Sequence, residues 1–97
     1  MAKIDTKYLD NLYAALLTLE TKEQCAAFLE DICSIQELES ISQRLEVARL
    51  LHEGRNYVEI NKITGASTAT ICRVSKCLTY GDGGYATVLR KMEEAGE

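Results

Sequence analysis

Between Ile63 and Leu78 the chain gathers hydroxyls, small side chains and cations: Ser67, Thr68, Ala69, Thr70, Cys72, Arg73 and Lys76. Small residues let a backbone approach base edges, while hydroxyls and cationic side chains hydrogen-bond to bases or phosphates. The first turn of a helix adds free N–H groups that attract a phosphate. The chemistry within reach is nucleic-acid binding, and Asn61 and Lys62 just upstream suit contacts to the DNA backbone. Catalysis would need a converging acid, base or nucleophile. The chain has one histidine, His52, and carboxylates placed mostly on solvent-facing helix positions, so we expect no enzyme. Cys25, Cys33, Cys72 and Cys77 include no pair with the gap of a zinc knuckle, so they read as free structural thiols, with no metal and no bound cofactor. His52 lies two residues before Gly54, where a helix dipole favours a cation, and reads as a cap or surface residue. The Tyr80–Tyr85 loop lacks the preceding strand and the following lysine of a phosphate-binding loop, which leaves a helix-to-helix turn.

The elements that must carry these residues are helices. The sequence has 97 residues, 46% hydrophobic, no proline, and glycines at a few points, which predicts a single all-α domain over 1–97. Asp5 opens a first helix whose Tyr8, Leu9, Leu12, Tyr13, Leu16 and Leu19 recur at helical spacing to about Glu20. Thr21 with Gln24, then Ser34 with Glu37, are capping pairs that open a second and a third helix. The third runs to the stop at Gly54, with a kink expected near Ser40 to Ser42. Asn56 caps a short fourth helix that Gly65 ends, and Ser67 caps a fifth, Thr68 to about Leu78. A sixth runs from Tyr85 to about Ala95.

In the fifth helix Ile71, Val74 and Leu78 form the buried stripe. At about 100° per residue the opposite face carries Ala69, Cys72, Arg73 and Lys76. Two short helices about a tight glycine turn, the second with a polar face, make a helix-turn-helix. The third helix is apolar on more than one face through Ile41, Leu45, Val47, Ala48, Leu50 and Leu51, which is too broad for a small monomer to cover. A second copy of the chain supplies the cover, and the tyrosines read as core or dimer-packing residues, with Tyr57 the best candidate for exposure. The expected organisation is 1–54 for dimerisation helices, 55–79 for the helix-turn-helix and 80–97 for the C-terminal helix.

Net charge is −4, but its distribution is uneven. Met1 to Gln43 carries −5, Arg44 to Thr79 carries +3 and Tyr80 to Glu97 carries −2. Positive charge therefore sits where the helix-turn-helix is expected, which suits a protein that touches DNA with one patch. No apolar run approaches the roughly 20 residues that span a bilayer. Met1 to Asp10 interleaves Lys3, Asp5, Lys7 and Asp10 with apolar residues in place of a secretory signal, so we expect a cytoplasmic protein with no membrane partner.

The stretch ITGASTATICRVSKCL, Ile63 to Leu78, resembles the helix-turn-helix of the Trp repressor family, in which Gly-Ala-x-x-Ala-Thr-x-x-Arg opens the recognition helix. SQRLEVARLLHEG, Ser42 to Gly54, is similar to that family's central helix. The segment Tyr80 to Tyr85 departs from the repressor proper and resembles a related group whose effector is not established. The resemblance implies a six-helix chain that forms an intertwined homodimer and presents two helix-turn-helix heads to a palindromic operator in double-stranded DNA. It implies that Ser67, Thr68, Ala69 and Cys72 approach DNA. It also implies a site for a small co-repressor between Arg44 and Arg73, a pair able to stack on a ring and to hold a carboxylate. Val74 stands where the repressor has glycine beside that ring, Ala48 replaces a valine and Cys77 a serine. Overfilling a packed site costs about 1–3 kcal/mol, which argues against tryptophan itself as the effector. The expected function is a sequence-specific transcriptional regulator, a repressor. The alternative is an all-α protein-protein interaction module that does not bind DNA.

Overall fold

A computed structural model describes residues 5–96; the readings made on Met1 to Ile4 and on Glu97 lie outside the described residues. Those residues form six α-helices and no strand: α1 (Thr6–Leu17), α2 (Lys22–Ile32), α3 (Ile35–His52), α4 (Tyr57–Thr64), α5 (Thr68–Tyr80) and α6 (Gly84–Glu94). No helix among the described residues is long and apolar enough to cross a membrane.

Local side-chain chemistry sets most of the boundaries. The Asp5 carboxylate accepts from Lys7 N at 2.8 Å and starts α1. The expected run to Glu20 stops earlier, at Leu17. Thr18 is the reason: its hydroxyl donates to Ala15 O at 2.6 Å, and Leu19 N turns to Leu16 O at 3.2 Å. Thr21 Oγ1 accepts from Gln24 N at 3.1 Å and opens α2. At the head of α3 the pairing is reciprocal, with Ser34 Oγ accepting from Glu37 N at 3.1 Å and Glu37 Oε1 accepting from Ser34 N at 2.8 Å. From there α3 runs as one uninterrupted helix to His52. Helix α5 extends to Tyr80, beyond the expected end near Leu78. Gly81 then leaves the helix in an extended conformation so close to the Cys77 carbonyl that a Cβ there would collide with it.

Contacts divide the chain into two compact units, one up to Leu38 and one from Glu39 onward. In the first, no residue of α1 or α2 is buried, and Tyr8 and Leu17 are 72% and 86% exposed. The second has a core built from every helix that it contains. Val47, Ala48 and Leu50 of α3, Ile60 of α4, Ala66 of the turn, Ile71 and Val74 of α5 and Leu89 of α6 are buried together, with Leu51, Leu78 and Tyr85 packed against them. The exposed tyrosine is not chiefly Tyr57, at 38%, but Tyr80, at 85%, which lies at the last turn of α5 beyond the core-facing stripe.

Candidate nucleic-acid interface

Helices α4 and α5 form the two arms of a helix-turn-helix joined by Gly65 to Ser67. The first arm opens with a complete capping box: Asn56 Oδ1 accepts from Glu59 N at 2.9 Å, and Glu59 Oε1 accepts from Asn56 N. It closes at Gly65, whose φ of +75° is the left-handed conformation that glycine adopts at least cost. Ser67 Oγ then accepts from Thr70 N at 3.2 Å and opens α5.

Packing fixes which face α5 presents. Ile71 and Val74 are fully buried against α3, α4 and α6, and Leu78 is half-buried, as the spacing predicts. Ser67, Thr68, Ala69, Cys72, Arg73 and Lys76 are consequently exposed, while Thr70 is half-buried. Asn61 and Lys62 are exposed on α4. The Asn61 amide is engaged, however, donating to Ala66 O at 2.8 Å.

The electrostatics separate two groups of cations in this unit. Arg49 pairs with Glu46 at 2.7 Å and with Glu53, Arg55 pairs with Glu59 at 3.3 Å, and Arg90 pairs with Glu94 at 3.9 Å. The Arg49 hydrogen bond holds the Glu46 carboxyl below the usual carboxylate range, and the Arg49 guanidinium is pushed up in turn, first by that bond. His52 Nε2 meets Glu93 Oε1 at 2.9 Å, so this surface residue ties the end of α3 to α6. Arg44, Arg73 and Lys76, by contrast, have no acidic partner among the described residues.

Arg44 and Arg73 line one cleft of about 280 Å³, together with Ser40, Gln43 and Thr70. Its walls are polar and contain no carboxylate, which suits an anionic or hydroxylated group. Of the other residues expected at an effector site, Ala48 and Val74 are buried in the core, at 0% and 1% exposure, and do not line it. Cys77 borders a second, more apolar cleft of about 520 Å³ with Leu45, Gly81, Asp82, Gly84, Tyr85 and Val88. The sequence reading did not foresee that second cleft. It arises where α5 ends and α6 turns back, and no local motif marks such a junction. All four cysteines are free, and no group of residues able to hold a metal ion occurs among the described residues.

The family model of the Trp repressor protein matches residues 7–93. The uncharacterized protein YerC of Bacillus subtilis (strain 168) is 48% identical over 92 residues, covering 95% of this chain and 88% of that protein. A crystal structure from Staphylococcus aureus, provisionally described as a Trp repressor, superposes with a TM-score of 0.86 at 44% identity, over 90% of this chain and 87% of that one. A TrpR-like protein from Eubacterium eligens ATCC 27750 gives the same TM-score of 0.86 and 44% identity, over 90% of each chain.

Proposed function

The chain belongs to the Trp repressor protein family, and from that premise we propose that it is a cytoplasmic, sequence-specific DNA-binding transcriptional regulator. It acts as a homodimer and represses by excluding the transcription machinery from a palindromic operator. The observation that carries this reading is the face of α5: its apolar residues are committed to the core, while Ser67, Thr68, Ala69, Cys72, Arg73 and Lys76 stand exposed and its cations have no acidic partner among the described residues. Ala69 and the hydroxyl of Thr68 approach base edges, and Arg73, Lys76 and Lys62 meet phosphates or bases. Two such heads about 34 Å apart read successive major grooves.

Dimerisation rests on the helices of 1–54. An α1 and an α2 with no buried residue leave Tyr8, Tyr13, Leu16, Leu17 and Ile32 exposed in the single chain, which a second copy covers. The effector reading rests on Arg44 and Arg73 flanking one polar cleft. Ala48 and Val74 lie in the core and add no apolar surface to that cleft, so its polar lining fits an effector with an anionic or hydroxylated group better than the ring of tryptophan.

The test is selection of bound sequences from a random duplex pool by the purified protein at two salt concentrations. An enriched palindrome, bound less tightly as salt rises, is the expected result, because phosphate contacts release counterions. Arg73→Ala and Lys76→Ala should each weaken that binding while leaving the fold intact. No enrichment at either salt, with or without small anionic metabolites, would overturn the reading and favour a protein-interaction module.

A further inference from the structure

The turn of the helix-turn-helix is gripped from two sides. From α4, Asn61 Nδ2 donates to Ala66 O at 2.8 Å. From α3, Gln43 Nε2 donates to Thr64 O at 3.1 Å, across 21 residues of sequence. Thr64 completes the arrangement, donating through Oγ1 to Ile60 O at 2.7 Å and accepting there from Ala66 N at 3.1 Å. Gly65 N donates to Asn61 O at 2.8 Å, so the Asn61 backbone also holds the turn. Both carboxamide bonds are partly buried, where water competes less for the same groups.

These bonds fix the peptide planes immediately before Ser67, the cap from which α5 starts. The direction of a helix follows from the planes that launch it, and a binding constellation must be held within about 0.5 Å to keep its geometry. We propose that Gln43 and Asn61 are positioning residues for DNA recognition, whose carboxamides hold the turn from α3 and α4 and so set the angle of α5, without either side chain touching DNA. The inference rests on the DNA-binding reading above and reassigns Asn61 from contacting the DNA backbone to bracing the turn, since its carboxamide is oriented by the bond that it donates to Ala66 O.

The experiment compares Gln43→Met and Asn61→Ala with the wild type on the selected palindrome and on a scrambled duplex of the same length. Both substitutions leave net charge unchanged, so the sequence-independent, phosphate-driven affinity is preserved. Each variant should lose about fivefold to tenfold in affinity for the palindrome, the effect of one hydrogen bond, with affinity for the scrambled duplex unchanged. Equal loss on both duplexes for Asn61→Ala would restore it as a phosphate contact, and no loss on either would remove the positioning role; both results overturn the proposal. If the wild type selects no palindrome, the DNA reading fails on its own, and amide hydrogen exchange decides the rest. Faster exchange confined to Gly65 through Thr70 in the variants supports the brace, and unchanged exchange overturns it.

Discussion

The helices before Leu38 and the head after it solve the problem of burial differently. The head closes a core within one chain, with Val47, Ile60, Ile71 and Val74 fully buried. Helices α1 and α2 have no fully buried residue and reach only half-burial, at Leu9, Leu12, Phe28 and Leu29 among others, although their apolar residues recur at helical spacing just as those of α5 do. Periodicity alone therefore predicts a helix but not what covers it. The head has what it needs to hold its shape alone, whereas the N-terminal helices need cover that the single chain does not supply.

Four predictions act on that contrast. The largest effect should come from Ile71→Ala, which empties a fully buried site beneath the exposed face of α5 and should cost about 2–5 kcal/mol. Denaturant unfolding should show that loss in the unfolding free energy; a loss under 1 kcal/mol would contradict the closed core. Next, Tyr13→Asp with Leu16→Asp places charge on the exposed face of α1. The expected outcome in sedimentation is a shift from dimer toward monomer at micromolar concentration, with a midpoint that depends on protein concentration. An unchanged dimer would put the interface elsewhere.

A smaller effect is expected at Gly65. Its position has open space around it, so Gly65→Ala should cost about 1–2 kcal/mol through the positive φ alone, read as a lowered melting temperature. Smallest is the acid response of the head of α3. Hydrogen bonds from the Ser34 backbone N–H, and then from its hydroxyl, hold the Glu37 carboxyl below its ordinary value. Because the folded value is the lower one, that stabilisation is present above the ordinary carboxylate pKa and is lost as pH falls through the depressed value. Glu37→Gln should flatten this part of the acid unfolding curve, and an identical curve would show that the pairing contributes nothing.

The resemblance and the physics were both legible at α4 and α5. Asn56 with Glu59, Gly65, and Ser67 each specify a cap through their own side chain or backbone freedom, so the helix-turn-helix could be placed from one line of text. The boundaries that were missed, at Leu17 and Tyr80, depend on back-bonding threonines: Thr18 hydrogen-bonds to Ala15, and Thr79 to Ser75 within the extended last turn. Threonine at such positions either closes or rides along a helix, and sequence does not distinguish the two. At the candidate site, the exposed face of α5 followed from its buried stripe, while the meeting of Arg44 with Arg73 in one cleft came through resemblance and not through spacing.

The six helices, most of their caps and the inward side of α5 follow from the order of residues alone, because each depends on residues within a few positions of one another. It took the packed helices to bring Gln43 to the Thr64 carbonyl and the Asn61 amide to Ala66 O, and to seal Ala48 and Val74 in the core while Arg44 and Arg73 have no acidic partner among the described residues. Those outcomes depend on how separate helices stack, and the stacking is set by the summed packing of the core and not by any local pattern.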